Sequence, residues 1–319
     1  MRTDSPMCKY QTGFRLHCVA EGKSPKTTQW YGHKLRIFGE YLDEQCAVAD
    51  PGVATADQVR AFLAHMREDV QVGELNPHRK TGEKNLSPQT VQGYYRAIRA
   101  FYSWLLREGY LETDPTATIR RPKAAQTIVA TFDEDQIRRL LAAPDKRTPR
   151  GYRDYVILLL LLDTGIRLGE LVRLRVADMH LEDGYVQVYG KGSKERLVPV
   201  GNAVRKALWR YLAQYRPEPA HPGVQNVFLA PGGQPLKGES VYRMISRRGQ
   251  EAEIKGVRCS PHTLRHTFAV SFLRNGGDVF SLQRILGHTS LVVTRMYCNL
   301  VDADIRAAHR RCSPADRLG

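Results

Sequence analysis

The chain has 319 residues, of which 42% are hydrophobic and 25% charged, and its formal net charge at pH 7 is +15. This is the composition of a globular protein long enough for two domains with separate cores. Residues 1–122 carry 17 Lys and Arg against 14 Asp and Glu, whereas residues 123–319 carry 31 against 19. The basic excess suits a polyanionic partner such as DNA, although charge alone does not separate such a protein from one that is merely basic.

The cysteines are scattered without a C-x-x-C pair, which argues against a zinc module and against a disulfide framework. Cys259 and His262 have ligand-like spacing, but no second pair accompanies them, so no metal is predicted. The longest apolar run, Val156–Leu162, is too short to span a bilayer, and no signal-peptide pattern precedes it. The simplest interpretation is a cytoplasmic protein with reduced thiols and no membrane partner.

The first part of the chain is predicted to be helical. Residues 1–23 show no clear periodicity and are interpreted as an N-terminal extension. Ser24 and Pro25 have the pattern of an N-cap followed by proline in the first turn, which predicts a helix to about residue 44. Thr55 is expected to cap a second helix.

A long helix is predicted from Ser87 to Gly109, followed by a short one at 115–119. Together these elements define a small helical domain over residues 24–121. The tyrosines of the long helix are interpreted as core residues. Its polar face includes Arg96 and Arg99, which are candidates for DNA contacts or else part of a solvated helix face.

A basic segment without an apolar face follows this domain, and residues 122–130 are interpreted as the interdomain linker. Arg120, Arg121 and Lys123 of this segment are further candidates for contacts with the DNA backbone. The remaining residues, 131–319, are expected to form a second domain with a C-terminal tail.

The second domain is predicted to be mostly helical. An apolar helix over 152–162 is expected at its centre, and Gly165 ends it. The alternating segments Tyr185–Tyr189 and Arg196–Val200 predict two strands joined by a turn. The expected fold class is therefore mainly α with a small β-sheet. Further helices are predicted near residues 203–214, 240–252, 263–275, 278–286, 291–297 and 303–311.

A set of basic and hydroxyl side chains recurs at regular spacing through this second domain. His262 and Arg265 are three residues apart, so they share one face of a helix. His288 follows Arg265 by 23 residues, and Tyr297 follows His288 by nine. Two earlier members, 24 residues apart, complete the set: Arg167 and Lys191. Such a set can cleave a phosphodiester without a metal ion or other cofactor.

The motifs T-G-I-R-L-G-E-L, S-P-H-T-L-R-H-T-F-A, L-G-H-T-S and R-M-Y carry these residues. In type, order and spacing the chain closely resembles the tyrosine recombinase (phage integrase) family, in particular its Xer-type members, over nearly its whole length. The first motif departs from the family pattern only in the size of apolar residues. The resemblance implies a helical, SAM-like core-binding domain and a mixed α/β catalytic domain that form a C-shaped clamp on double-stranded DNA.

The resemblance also implies the role of each site residue. Tyr297 would be the nucleophile that forms a 3′-phosphotyrosyl link, so neither ATP nor metal is required. Arg167 and Arg265 would hold the non-bridging phosphate oxygens. His262 would assist as acid or base, either activating the tyrosine or holding the phosphate, and His288 would donate a hydrogen bond to a phosphate oxygen.

Two positions leave alternatives. Lys191, on the turn between the strands, would protonate the leaving 5′ oxygen, and Lys194 and Arg196 are the fallback candidates. Lys194 is also a candidate for DNA binding. Glu170, three residues after Arg167, would orient that arginine, or else form a simple surface pair with it.

The function indicated is site-specific recombination by a tetramer through a Holliday junction, with a monomer in solution as an open alternative. The reaction would integrate and excise a mobile element or resolve replicon dimers, with accessory DNA-bending or directionality factors as potential partners. A type IB topoisomerase and a DNA-binding regulator without cleavage are the competing interpretations. The C-terminal tail would pack on its own domain or on a neighbouring protomer.

Overall fold

A computed structural model describes residues 6–72, 74–75, 85–123, 130–190, 195–288 and 313. The chain divides into two compact units, residues 1–127 and residues 128–319, and each is described by itself. No helix in these ranges combines the length and the apolar character needed to cross a membrane.

Four α-helices build the described part of the N-terminal unit. They are α1 (Pro6–Ala20), α2 (Pro25–Cys46), α3 (Ala56–Glu68) and α4 (Pro88–Arg107). The side-chain oxygens of Ser24, Thr55 and Ser87 each accept a hydrogen bond from a backbone amide in the first turn of the helix that follows. The predicted starts of α2, α3 and α4 are therefore confirmed.

The N-terminal segment differs from the extension expected over residues 1–23. Its described part forms α1, which buries Met7, Phe14 and Cys18 in the core of the N-terminal unit. These residues recur at intervals of seven and four, so they lie on one helix face. This face is not recognisable in the sequence, because polar and basic residues lie between the three apolar positions. The segment at 115–119, expected as a short helix, is a hydrogen-bonded turn.

The long helix α4 lies at the centre of the N-terminal core. Tyr94, Tyr95 and Tyr102 are each at most 3% exposed, so the prediction that they are core residues is confirmed. The Tyr102 hydroxyl donates to the carbonyl of Pro51 at 3.0 Å, which satisfies this buried polar group.

The C-terminal unit contains seven helices in its described part. They are α5 (Glu134–Ala142), α6 (Pro149–Thr164), α7 (Leu168–Leu171), α8 (Asn202–Arg210, continued by a π-helical turn at Tyr211–Tyr215), α9 (Gly238–Glu251), α10 (Pro261–Arg274) and α11 (Val279–Leu286). The helix α6 is buried along most of its length and packs against α10. It ends at Gly165, which adopts the left-handed conformation with φ +59°.

One antiparallel sheet of three strands, in the order β1-β2-β3, accompanies these helices. The strands are β1 (Met179–His180), β2 (Tyr185–Tyr189) and β3 (Glu195–Pro199). The predicted pair β2–β3 is confirmed, with Val186 opposite Val198, whereas β1 has only two residues and leaves too short a pattern to be predicted. The fold is mainly α with a small sheet, as expected. The helices predicted at 291–297 and 303–311 lie outside the described residues.

Candidate active site

The site is built around the end of α6, where Gly165 and Ile166 lead into the short helix α7. Arg167 immediately precedes α7, and its backbone amide donates to Glu170 Oε2 at 2.8 Å. Its Nη1 donates to Glu170 Oε1 at 3.0 Å. The guanidinium remains partly open to solvent, because the side chain is 42% exposed. The backbone and side chain of Arg167 are thus both tied to one carboxylate, while an outer edge stays available to a ligand.

Glu170 is buried, with only 2% of its side chain exposed. Burial by itself raises the pKa of this carboxyl, but hydrogen bonds from Arg196 and from Arg167 outweigh it and hold the pKa below its ordinary value. The carboxylate is therefore ionised at neutral pH. The alternative of a simple surface pair with Arg167 is wrong, because Glu170 lies inside the protein.

Arg196 on β3 is the site residue whose role the sequence does not indicate. Its Nη1 and Nη2 donate to the two oxygens of Glu170 at 2.9 and 2.8 Å, and its Nε donates to the Ile285 carbonyl at 2.8 Å. The sequence offers Arg196 as a substitute for Lys191 as proton donor, whereas the structure ties it to a buried carboxylate. The alternation of β3 is a signal that could have found this, because Arg196 and Val198 point inward and their neighbours outward.

Arg265 on α10 joins three segments that are distant in sequence. Its Nη1 donates to the Gly165 carbonyl at 2.6 Å, and its Nη2 donates to the Leu286 carbonyl at 2.8 Å. The same Nη2 lies 2.9 Å from His288 Nε2. With 6% of the residue exposed, this guanidinium is a buried charge that α6 and the end of α11 hold in place.

His288 follows Gly287, which caps α11 in the left-handed conformation. Burial first, and then the charges of Arg265 and Arg167, lower its pKa to about 4, so the imidazole is neutral at pH 7. A guanidinium can only donate, so Nε2 of His288 accepts from Arg265 and the ring proton is on Nδ1. That N–H is the group with which His288 can donate to an anionic oxygen.

Two further histidines, His262 and His266, lie on α10 close to Arg265. His262 is exposed in the turn that precedes Arg265, where a ligand can reach it. His266 is half-buried, and burial together with the nearby His262 and Arg265 lowers its pKa.

Cys259, whose spacing to His262 is ligand-like, is a partly buried thiol whose pKa is raised by burial. Within the described ranges no group of three His, Cys, Asp or Glu side chains is arranged to hold a metal ion.

The structure thus brings together four of the predicted site residues, which are Arg167, Glu170, Arg265 and His288. Arg167 Nη2 donates to the Gly287 carbonyl at 3.2 Å, so both site arginines contact the backbone next to His288. Lys191, Lys194 and Tyr297 lie outside the described residues. Two guanidinium groups and one neutral imidazole in this arrangement can bind the oxygens of a phosphate and stabilise additional negative charge on them.

The five DNA-contact candidates of the N-terminal unit are exposed: Arg96, Arg99, Arg120, Arg121 and Lys123. Three of them have partners within that unit. Arg96 lies over the Trp30 ring, Arg99 donates to the Tyr95 hydroxyl at 2.6 Å, and Arg121 donates to Gln92 Oε1 at 2.8 Å.

Comparison with known proteins finds similar sequences over nearly the whole chain. The profile of the phage integrase family matches residues 130–303, and that of the phage integrase, N-terminal SAM-like domain matches residues 12–112. Tyrosine recombinase XerD of Listeria innocua serovar 6a is 32% identical over 298 residues, which are 93% of this chain and 95% of that protein.

Solved structures that share the fold include two complexes with DNA. XerH site-specific recombinase bound to palindromic difH substrate, a post-cleavage complex, has a TM-score of 0.70 and 20% identity, covering 93% of this chain and 82% of that one. A lambda integrase tetramer bound to a Holliday junction has a TM-score of 0.67 and 17% identity, covering 88% and 77%. The profile match over more than half of the chain and the XerD relative establish that this chain belongs to the phage integrase family of tyrosine recombinases, enzymes that break and rejoin DNA strands at specific sites.

Proposed function

We propose that this recombinase cleaves each DNA strand through a 3′-phosphotyrosyl intermediate and exchanges strands through a Holliday junction. The observation that carries the proposal is the contact of Arg265 Nη2 with His288 Nε2 at 2.9 Å, beside Arg167. It supports a preformed site for one phosphate, because the guanidinium groups are fixed by backbone carbonyls and by Glu170 before any ligand arrives.

In the proposed reaction, the Tyr297 hydroxyl oxygen attacks the scissile phosphorus and the bond to the 5′ oxygen breaks. Arg167 and Arg265 neutralise the charge that develops on the non-bridging oxygens, and the Nδ1–H of His288 donates a hydrogen bond to one of them. His262 accepts the phenol proton, and Lys191 supplies a proton to the leaving 5′ oxygen. Rejoining reverses these steps with the 5′ hydroxyl of the partner strand as nucleophile.

We further propose double-stranded DNA as the substrate and a tetramer as the active assembly. The XerH complex holds its difH substrate after cleavage, and the lambda integrase tetramer is bound to a Holliday junction, which supports both proposals by analogy of fold. Resolution of replicon dimers and integration or excision of a mobile element are the two biological uses proposed, with accessory factors as potential partners. The proposed domains are the SAM-like domain to residue 121, a linker at 122–130 and the catalytic domain from residue 131.

Covalent trapping tests the mechanism. Wild type and Tyr297→Phe are incubated with nicked duplexes that carry candidate sites from the flanking DNA, and the products are separated under denaturing conditions. We expect a protein–DNA adduct with wild type only. An adduct that persists in Tyr297→Phe would identify another nucleophile, whereas tight, specific binding without any adduct would favour a DNA-binding regulator. Cleavage confined to one sequence, with strand exchange between two duplexes, distinguishes recombination from the relaxation that a topoisomerase performs.

A further inference from the structure

The end of α11 is held by hydrogen bonds from side chains. A helix leaves its last carbonyl groups without partners inside the helix, and here the four consecutive carbonyls of residues 285–288 each accept from a side chain. The first three donors are charged, namely Arg196, Arg265 and Arg167. The fourth donor is neutral, because the His288 carbonyl accepts from Gln283 Nε2 at 3.1 Å. Gln283 therefore differs in charge from the three arginines that hold the carbonyls before it.

Two hydrogen bonds join Gln283 to the backbone of His288. The Gln283 carbonyl accepts from the His288 amide at 3.1 Å, and the Gln283 side chain donates to the His288 carbonyl at the same distance. A carbonyl can only accept, so the side-chain amide must present its nitrogen rather than its oxygen. The amide and the carbonyl of His288 are thus both bonded to one residue of α11. Because the Cα of His288 lies between these groups, the two bonds also fix the direction in which its side chain leaves the backbone.

His288 needs such support because it lies beyond the last turn of α11. The helix ends at Gly287, whose φ of +63° interrupts the regular hydrogen-bond pattern, and helix ends fray. The imidazole nevertheless has to place both of its nitrogens. Nε2 accepts from Arg265 Nη2 at 2.9 Å, and this contact keeps the proton on Nδ1. A rotation of the His288 backbone would move the ring away from Arg265, and neither tautomer would then be selected.

A neutral donor suits the charges around this histidine. The groups that act on the His288 ring are all basic: Arg265, Arg167, Arg196 and His266. A lysine or arginine at position 283 would add a further positive charge to this cluster. A glutamate would have no proton to donate to the His288 carbonyl at neutral pH. Glutamine supplies the donor and leaves the charge of the site unchanged.

We infer that Gln283 is a positioning residue for His288, and that it holds the His288 backbone so that the imidazole accepts from Arg265 and directs its Nδ1–H towards the phosphate. This inference rests on the proposed function, in which His288 donates to the scissile phosphate. The contribution of Gln283 is to the reaction step, because its side chain acts on the histidine and not on the DNA. Its removal should therefore change the rate of cleavage and leave the affinity for DNA intact.

The direct test is ¹⁵N NMR of the histidine rings in the full chain without DNA. The His288 signals are assigned from their absence in His288→Gln, and in wild type they should show a neutral ring with the proton on Nδ1. Gln283→Met keeps a side chain of similar length and lacks the donor. In this variant we expect exchange between the two tautomers, so that the shifts of the two ring nitrogens move towards each other.

Gln136→Met is the matched control. Gln136 is also partly buried in the same unit, and its Nε2 also donates to a backbone carbonyl, that of Lys255 at 3.3 Å. Because Gln136 in addition caps α5, its replacement should lower the melting temperature at least as much as Gln283→Met does. The His288 signals of Gln136→Met should be those of wild type.

Single-turnover cleavage of a nicked duplex provides the second test. We expect Gln283→Met to lower the cleavage rate about tenfold, since His288 is displaced rather than removed. Its Kd for the duplex should stay within about twofold of the wild-type value. Gln283→Glu has the same shape and lacks the donor proton at neutral pH, so its rate should fall at least as far. Full activity of Gln283→Glu would contradict the donor role, and Gln136→Met should cleave at the wild-type rate.

The outcomes separate this inference from the proposed function. If wild type cleaves and either the His288 signals or the cleavage rate of Gln283→Met equals that of wild type, Gln283 is not a positioning residue and the proposed function stands. Equal losses of affinity and rate would indicate a general defect and also contradict the inference. If wild type forms no covalent adduct on any duplex, the proposed function is wrong, and the NMR comparison alone decides whether Gln283 holds the His288 ring.

Discussion

At the scale of single residues, the geometry of the site depends on Arg196, which bonds to other groups of the protein. Arg196 joins the Glu170 carboxylate, which orients Arg167, to the Ile285 carbonyl near the end of α11. It also lies under Gly287, where an added Cβ would be 3.0 Å from Arg196 Nη1. Arg196 is therefore a positioning residue for both Arg167 and the segment that carries His288.

Replacing Arg196 by Met should lower the rate of DNA cleavage and make it sensitive to acid. Glu170 would stay buried with one partner fewer, so its pKa would rise, and its protonation would release Arg167 as pH falls. The displacement of Arg167 should cost roughly 10²-fold in rate. Loss of one partner of a buried pair should reduce the free energy of unfolding by about 3 kcal/mol.

The measurement for Arg196→Met is single-turnover cleavage of a nicked duplex between pH 5.5 and 8.5. Arg205→Met is the matched control, because Arg205 is also half-buried in the same unit but donates mainly to the carbonyls of Leu181 and Glu182. An equal rate loss at every pH would indicate a general structural defect and contradict the positioning role. Arg196→Lys should restore part of the rate but not the bidentate contact.

His288 gives a second prediction at this scale. Its pKa of about 4 means that the ring stays neutral from pH 8 down to about 5 and becomes protonated only below that range. Because the unfolded chain binds this proton near pH 6.5, His288 should reduce the free energy of unfolding as pH falls from 6.5 towards 4. NMR of ¹⁵N-labelled histidine should show a neutral ring with the proton on Nδ1 between pH 5.5 and 8. A titration midpoint near 6.5 for this residue would contradict the assignment.

At the scale of secondary-structure elements, the end of α6 fixes the position of Arg265. The Gly165 carbonyl accepts from Arg265, and Gly165 itself is packed against α10 and α11. A Cβ at this position would lie 2.4 Å from Phe268 Cδ1 and 2.9 Å from Leu286 Cδ2. The glycine is required both by its φ of +59° and by this close approach of three helices.

Gly165→Ala should therefore reduce the free energy of unfolding by about 3 kcal/mol, from the left-handed conformation and the overpacking together. Cleavage should be slower as well, because the acceptor of Arg265 shifts. Gly184→Ala is the matched control, since Gly184 has φ +78° but the nearest neighbour of an added Cβ is Arg205 Nη1 at 3.9 Å. Its loss should be only about 1 kcal/mol. Equal effects of the two variants in urea unfolding would show that packing at Gly165 contributes nothing.

At the scale of the whole molecule, the hydrophobic cores that each unit contains predict two units that fold independently. One core contains the aromatic residues of α4, and another surrounds α6. Fragments 1–127 and 128–319 should each give a cooperative thermal transition by circular dichroism. The second fragment should bind duplex DNA with the steeper salt dependence, because most of the excess basic residues lie there. A fragment that unfolds without cooperativity would show that its core is incomplete.

The sequence by itself determined the fold class, the starts of α2, α3 and α4, and the order of the site residues. These features depend on local sequence patterns: the caps at Ser24, Thr55 and Ser87, the alternation of β2, and the motifs around Arg167 and Arg265. The pair of Arg167 and Glu170 could be predicted from the sequence, because the two residues are three positions apart and therefore lie on one helical turn. The same local information failed for α1, whose apolar face becomes recognisable only against the core that covers it.

Only the tertiary structure decided that Glu170 is shared with Arg196 and that His288 is neutral beside Arg265. Arg196 is 26 residues from Glu170 and 89 from Ile285, so no spacing rule connects them. Ionisation states depend on burial and on charges that folding brings near, and neither quantity is a property of a local stretch of chain. Local patterns fix where elements begin and end, whereas the environment of a charged group is set by the packing of elements that are distant in sequence.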